Sequence, residues 1–319
     1  NRPSRTAGRE PLGLVAVKKW ADAETTAAGK TRARVEPGTL KTLWFNTGTL
    51  CNIEFAHCYV ESSPRNDSLS FLSAEEVACY LDELGTLFPG GREIGFTGGE
   101  PFLNAGLPAM AEDALSRGHR VLILTNGMKP MRNHSARLME LKERHGRRLR
   151  LRVSLDHHSE AVHESERGSG SWRQALDGLR WLEENGFEAS VAGRSLVEEE
   201  EEAAREGYRR LFAGLGLGLD AADRERLVLF PEMDEGDPPE ITTECWGILG
   251  LSPGSIMCAS SRMVVKRKGA RSPEVVSCTL LPHDGRFSLG GTLADSWRPI
   301  SLLHRRCASF CVLGGSACS

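Results

Sequence analysis

Short β-like runs alternate along this chain with amphipathic helical stretches. The runs are Leu43–Thr47, Glu93–Thr97, Val121–Thr125, Leu149–Leu155, Glu188–Ala192 and Leu227–Phe230. Ser73 and Glu76 stand three apart ahead of a helix predicted over 74–87, each side chain able to satisfy the other's orphan backbone N–H. Gly118 and Gly186 follow helices predicted over 105–117 and 172–185, where a left-handed residue ends a helix without a Cβ penalty. In the second of these, Trp172, Ala175, Leu176, Leu179 and Leu182 form a stripe suited to packing on a sheet. The acidic run Glu198–Glu202 falls at a helix start, where carboxylates favour the positive end of the dipole. Six strands joined by helices predict an α/β fold with a parallel sheet and right-handed crossovers. The pattern fits a doubly wound sheet as well as a complete or partial barrel. In each, functional loops lie at the carboxyl ends of the strands.

The rhythm stops after Pro231. Residues 231–319 are rich in Gly, Pro, Ser and Cys, and Pro231–Glu240 reads as a boundary between a main domain, 41–230, and an extension. Within the extension Met263–Val265 and Val275–Ser277 read as a hairpin that brings Cys258 and Cys278 towards the C-terminal tail. Residues 1–40 read as a polar tail without an apolar signal core. A formal charge of −3 gives no electrostatic case for nucleic acid or an anionic membrane as the main partner. The basic clusters at 147–150 and 266–268 read as solvated edges. No window approaches a membrane-spanning apolar run, and the expectation is a cytoplasmic protein. In that compartment nine cysteines are better metal ligands than disulfide partners. Cys79, in the middle of the first helix, is expected to be a buried structural thiol.

Two loops carry the chemistry. Cys51-Asn52-Ile53-Glu54-Phe55-Ala56-His57-Cys58-Tyr59 follows the first strand, and Gly98-Gly99-Glu100-Pro101 follows the second. Together they resemble the radical S-adenosylmethionine (radical SAM) superfamily, whose first loop carries three cysteines spaced three and then two residues apart. The resemblance implies a partial (β/α)₆ barrel and a four-iron, four-sulfur cluster with one iron left open for S-adenosylmethionine. It also implies reductive cleavage to a 5′-deoxyadenosyl radical that abstracts hydrogen from substrate. Cys51 and Cys58 match the first and third cluster ligands, and Phe55 stands at the middle position. A phenyl ring has no lone pair for iron. An altered copy of a three-cysteine protein, a pseudoenzyme and rescue by another ligand are the three explanations.

His57 matches a position that packs on the cofactor's adenine. Consecutive glycines let backbone approach a ligand closely, Glu100 is expected to pair with the cofactor's ammonium, and Pro101 stiffens the strand exit. Ser154 and Asp156, after the fourth strand, together with Glu166-Arg167-Gly168-Ser169-Gly170-Ser171-Trp172 at the next helix, resemble relatives with cysteine-rich extensions, in which the positions matching Ser154 and Asp156 line the cofactor or substrate cavity. Asn126 after the third strand and Arg194 after the fifth are further candidates, Arg194 for the cofactor's carboxylate. Cys245, Cys258, Cys278, Cys307, Cys311 and Cys318 follow the order of the SPASM and shorter twitch extensions. One auxiliary iron–sulfur cluster fits six cysteines better than two. A structural zinc site is the alternative, since four thiolates suit it equally well. The expected activity is that of a radical SAM oxidoreductase or maturase acting on a small molecule or peptide, served by a reducing partner such as flavodoxin or ferredoxin. The competing expectation is a non-catalytic binding protein of the same fold with a structural metal site.

Overall fold

The computed structural model describes residues 18–55, 57–195, 199–232 and 236–315. Its strands are β1 (Arg34–Val35), β2 (Thr42–Asn46), β3 (Glu93–Thr97), β4 (Arg120–Thr125), β5 (Leu149–Ser154), β6 (Glu188–Ser195), β7 (Leu227–Pro231), β8 (Ser261–Val265), β9 (Glu274–Val276), β10 (Ser288–Gly290) and β11 (Ile300–Ser301). The helices are α1 (Ala74–Leu87), α2 (Leu107–Ser116), α3 (Lys129–Asn133), α4 (Ser135–His145), α5 (Glu160–Arg167), α6 (Ser171–Glu184), α7 (Glu201–Leu215), α8 (Cys245–Leu249) and α9 (Leu293–Ser296). All six predicted strands are present within three residues at either end. β2 to β7 run parallel in chain order, an open partial barrel with helices on one face.

Strand periodicity sorts the core. Leu43 and Phe45 of β2 face the helices with Ile94 and Phe96, while Trp44 between them faces inward with Leu122 and Met263. Phe45 stacks on Phe96 with ring centroids 5.7 Å apart. Gly95 opposes Trp44 because an added Cβ would lie 2.2 Å from the indole. α1 opens with the expected capping box, Glu76 N–H donating to Ser73 Oγ at 3.2 Å and Ser73 N–H to Glu76 Oε2 at 2.9 Å. Cys79 contradicts its expectation and is exposed. The helix buries Val77, Tyr80, Leu81 and Leu84, and Cys79 falls on the opposite side. Of the acidic run, Glu201 and Glu202 lie in the first turn of α7, while Glu198 lies outside the described residues.

The extension is continuous with the barrel. β8 pairs parallel with β2, Thr42 opposite Ser261, and the predicted hairpin forms as β8 against β9, Met263 opposite Val276. The sheet therefore has nine strands in the order β10-β9-β8-β2-β3-β4-β5-β6-β7. The described part of the N-terminal stretch folds onto this extension, with β1 paired to β11. Arg32 is fully buried there, donating from Nη2 to Glu240 Oε1 at 2.5 Å and to the carbonyls of Asp22, Thr25 and Leu302.

Removing one partner of a buried ion pair leaves an uncompensated charge. Arg32→Ala is therefore expected to cost roughly 3–5 kcal/mol of folding stability. Urea unfolding reads this directly, and a loss under about 1 kcal/mol, the range of an exposed pair, would refute the assignment.

Candidate functional site

The carboxyl ends of β2 to β7 open into one cavity of about 170 Å³. Its wall brings together Cys51, His57, Cys58, Gly98, Gly99, Asn126, Ser154, Asp156 and Arg194, nine of the residues singled out from sequence. Glu100 and Pro101 are beside it but not in its wall. Thr279, Leu280 and Phe310 of the extension, with Trp44, Tyr59 and Phe230, form its apolar side.

The two motif loops are fastened to each other through backbone. Gly99 N–H donates to Gly48 O at 2.8 Å and Glu100 N–H to Leu50 O at 3.0 Å. A Cβ on Gly99 would lie 2.1 Å from Leu50 O, and Gly98 has φ +136°. The glycines thus admit the backbone of the cysteine loop as well as facing the cavity. Glu100 is buried underneath. Its Oε1 accepts from Thr125 Oγ1 at 2.8 Å and Phe102 N–H at 3.2 Å, and its Oε2 accepts from Asn126 N–H at 2.8 Å. Through these three contacts it holds the loop after β4. Asn126 in turn donates from Nδ2 to Asn52 Oδ1 at 2.8 Å, tying that loop to the cysteine loop.

Cys51 is buried, and burial pushes its thiol up to about 11. Cys58 is half-buried and its sulfur accepts from Ser62 N–H at 3.4 Å. Between them in sequence, the Phe55 ring lies under the guanidinium of Arg167, 4.6 Å from carbon to ring centroid. Arg167 forms a two-pronged pair with Asp156, Nε to Oδ2 at 2.8 Å and Nη2 to Oδ1 at 2.9 Å, with both side chains more than nine-tenths buried. Burial alone would raise the Asp156 carboxyl, but the charges of Arg167 and Arg194 hold it below the usual carboxylate range.

His57 is exposed and meets Glu166 Oε2 through Nδ1 at 2.8 Å. Arg194 donates from Nη1 to the same Oε2 at 2.8 Å and from Nη2 to His57 O at 3.0 Å. Sequence reasoning gives Arg167 and Glu166 no role in the site. The signal is the end of α5 itself, a charged pair one loop and one helix beyond Asp156.

A second cysteine cluster lies in the extension. Cys258, Cys278, Cys307 and Cys311 line one small apolar cavity with Met257, Phe287, Ile300 and Leu302. Cys307 and Cys311 sit on a π-helical turn, Cys307–Leu313. Burial pushes Cys258 up to about 12 and Cys278 up to about 11, and Cys307 well above the ordinary thiol range. Mutual repulsion adds to the shift at Cys258 and Cys307, while Arg306 offsets part of it at Cys278. Cys245 stands apart from that cavity, its sulfur accepting from Thr242 N–H at 3.4 Å. Cys318 lies outside the described residues. Among the described residues no three cysteine sulfurs fall within 4.8 Å of one another. The group that does meet that spacing is His157, His158 and Glu199, which sequence reasoning does not anticipate. There Ser159 N–H donates to His157 Nδ1 at 2.9 Å, which leaves the proton on Nε2, and His158 Nε2 meets Glu199 Oε1 at 3.0 Å.

Residues 45–212, more than half of the chain, match the family described as the radical SAM superfamily, and the chain belongs to it. Among curated relatives it is 33% identical over 277 residues to the antilisterial bacteriocin subtilosin biosynthesis protein AlbA of Bacillus subtilis (strain 168), an alignment covering 80% of this chain and 58% of AlbA. It is 30% identical over 150 residues to an Fe-coproporphyrin III synthase of Methanosarcina barkeri, covering 46% of this chain and 35% of that protein. The chain thus spans a little over half the length of AlbA and about a third of the synthase. By fold it is similar to Streptococcus suis SuiB bound to S-adenosylmethionine, with a TM-score of 0.58, 10% identity and coverage of 82% and 66% of the two chains. Similarity to native anSMEcpe with bound AdoMet gives a TM-score of 0.57, 15% identity and coverage of 80% of each chain. No helix among the described residues is long and apolar enough to cross a membrane.

The buried Glu100 carboxyl, raised by burial to about 7, carries a pH signature. The folded chain keeps this proton up to about pH 7, whereas the unfolded chain releases it near the ordinary carboxylate value. Its stabilising contribution is therefore complete below about pH 4.5, falls as pH rises through the window, and is gone above about 7. Between pH 4 and 8 the parent should lose on the order of 3 kcal/mol more stability than Glu100→Gln. Parallel urea-unfolding profiles for the two chains would contradict this placement.

Proposed function

We propose that this chain binds S-adenosylmethionine in the cavity at the carboxyl ends of its strands, acts on a peptide there, and carries an auxiliary iron–sulfur cluster in its extension. The carrying observation is that one cavity gathers Cys51, Cys58, the Gly98-Gly99 turn, Asn126, Ser154, Asp156 and Arg194 from five separate strand ends. Arg194 and Asn126 hold the loops that form the cofactor side. Tyr59, Phe230 and Phe310 form an aromatic side suited to an apolar substrate group. The peptide reading draws support from relatives whose names or titles concern bacteriocin biosynthesis, the precursor peptide SuiA and the peptide Cp18Cys. A reducing partner such as flavodoxin or ferredoxin belongs to the same reading.

The auxiliary site fits its group. Cys258, Cys278, Cys307 and Cys311 supply four thiols around an apolar cavity, the soft donor set that iron–sulfur clusters take. Tetrahedral zinc, with Zn–S of about 2.3 Å, would draw its sulfurs to within ~4 Å of one another. Zinc is the competing occupant, and metal content separates the two. A cluster held by these cysteines would pass electrons or anchor substrate; Arg306, beside Cys278, supplies a positive charge that favours the thiolate.

The first site does not fit a cluster held by three thiolates. It offers Cys51 and Cys58, and its middle position is a phenyl ring engaged with a guanidinium. This favours a second reading, in which the chain as it stands binds ligand without radical chemistry. The two readings separate on one substitution. After identical anaerobic reconstitution and reduction, Phe55→Cys is expected to form 5′-deoxyadenosine while the parent forms little or none. Vigorous cleavage by the parent would overturn the ligand count, and no cleavage by a fully loaded Phe55→Cys chain would leave the binding reading alone.

For the auxiliary site, Cys258→Ala and Cys278→Ala are each expected to remove metal from the extension and lower its stability, because binding energy at such sites is also folding energy. Unchanged iron content and melting temperature in both variants would refute it, and zinc in place of iron would refute the cluster.

A further inference from the structure

We infer that the first cysteine loop is organised by Arg167 rather than by a metal, so that the cavity holds an S-adenosyl amino acid through protein contacts alone, with the ligand's carboxylate on Arg167. The inference rests on the reading of this cavity as the S-adenosylmethionine site.

The geometry starts from Phe55. A cluster-binding loop keeps an anionic thiolate at its middle position, and here the negative face of a phenyl ring takes that place. The Arg167 guanidinium sits over this face at 4.6 Å. A cation over an aromatic face is favoured most where water is excluded, and the Arg167 side chain is 9% exposed. Arg167 is also fixed from behind. Asp156 holds its Nε and Nη2, and Asp156 is itself set in place by its backbone N–H donating to His163 Nδ1 at 3.1 Å. The loop is thereby closed by a protein cation that a Cys at position 55 would not stack beneath.

That arrangement leaves one donor over. Nη1 of Arg167 has no protein partner among the described residues, and Arg167 is part of the cavity wall. By contrast both terminal nitrogens of Arg194 are engaged, by Glu166 and by His57 O. Asp156 occupies Nε and Nη2, so Nη1 is the donor left at the cavity wall. A carboxylate is the group that such a charged donor takes. An open iron would chelate that same carboxylate, and Arg167 supplies the replacement.

The test compares the full chain with Cys51→Ser, Cys58→Ser and Arg167→Gln, all reconstituted anaerobically, by iron content and by calorimetric titration with S-adenosylmethionine. Both serine variants are expected to keep the parent's iron content, because neither thiol carries metal. Arg167→Gln is expected to bind at least ~10-fold more weakly, the loss of a charged hydrogen bond. Should Arg167→Gln fail to fold by circular dichroism, Phe55→Leu keeps apolar bulk without the ring face and is expected to weaken binding by about threefold or more. Iron that falls in Cys51→Ser, or affinity unchanged in the folded Arg167→Gln or Phe55→Leu chain, would overturn the inference and leave the cofactor reading standing. No binding by the parent at all would remove the cofactor reading and this inference together.

Discussion

Everything at the mouth of this barrel depends on one buried ion pair, Asp156 with Arg167. Asp156 follows the end of β5 and Arg167 stands in the last turn of α5, so the pair closes the connection between them. Its guanidinium braces the cysteine loop through Phe55, and its carboxylate is balanced further by Arg194. Arg194 in turn reaches Glu166 and the backbone of His57. Two charges taken out of water return their desolvation cost only when geometry and supporting bonds are good. Here the two-pronged contact and the backbone bond to His163 supply both, and the loops inherit their positions from it.

Much of the scaffold is legible in the sequence because it is local. The strand runs, the Ser73–Glu76 capping box and the glycines after α2 and α6 are read from neighbours along the chain, and they hold within a few residues. Cys79 reads as a core thiol because a mid-helix position does not say which face is buried. Val77, Tyr80, Leu81 and Leu84 define that face only once α1 is docked. The attachment of β8 to β2 is not legible, since it joins residues far apart in the chain and leaves no periodic trace. Nor is the burial of Arg32, whose partner Glu240 is equally distant.

The site is legible as a set of positions and less so as a set of roles. Gly98 and Gly99 read as room for a ligand, yet the closest atom to a Cβ on Gly99 is the carbonyl oxygen of Leu50. Glu100 reads as a ligand contact, yet its oxygens accept from Thr125, Asn126 and Phe102. Both observations have one physical cause. A loop that must present side chains to a cavity needs its own backbone polar groups satisfied first, and motif residues meet that need alongside any contact with ligand. The role of the Arg167 side chain escapes sequence reasoning for the complementary reason. An arginine at a helix end is ordinary in sequence, and its meaning comes from Asp156 and Phe55 meeting it in space.

The two cysteine sites are also less separate than their sequence positions suggest. Arg306 Nη1 donates to Tyr59 O at 3.0 Å and Leu280 O at 2.6 Å, joining the residue after Cys58 to the loop after Cys278. Tyr59 packs edge-on against Phe310, which lies on the π-helical turn between Cys307 and Cys311. The loop of the first site therefore rests on the loops of the second. Burial keeps Cys258, Cys278 and Cys307 as neutral thiols, whereas the first loop has a protein cation and a ring to close it. The phenylalanine at position 55 and the four cysteines of the extension thus mark two differently built sites, and Arg306 ties the loops of one to the loops of the other.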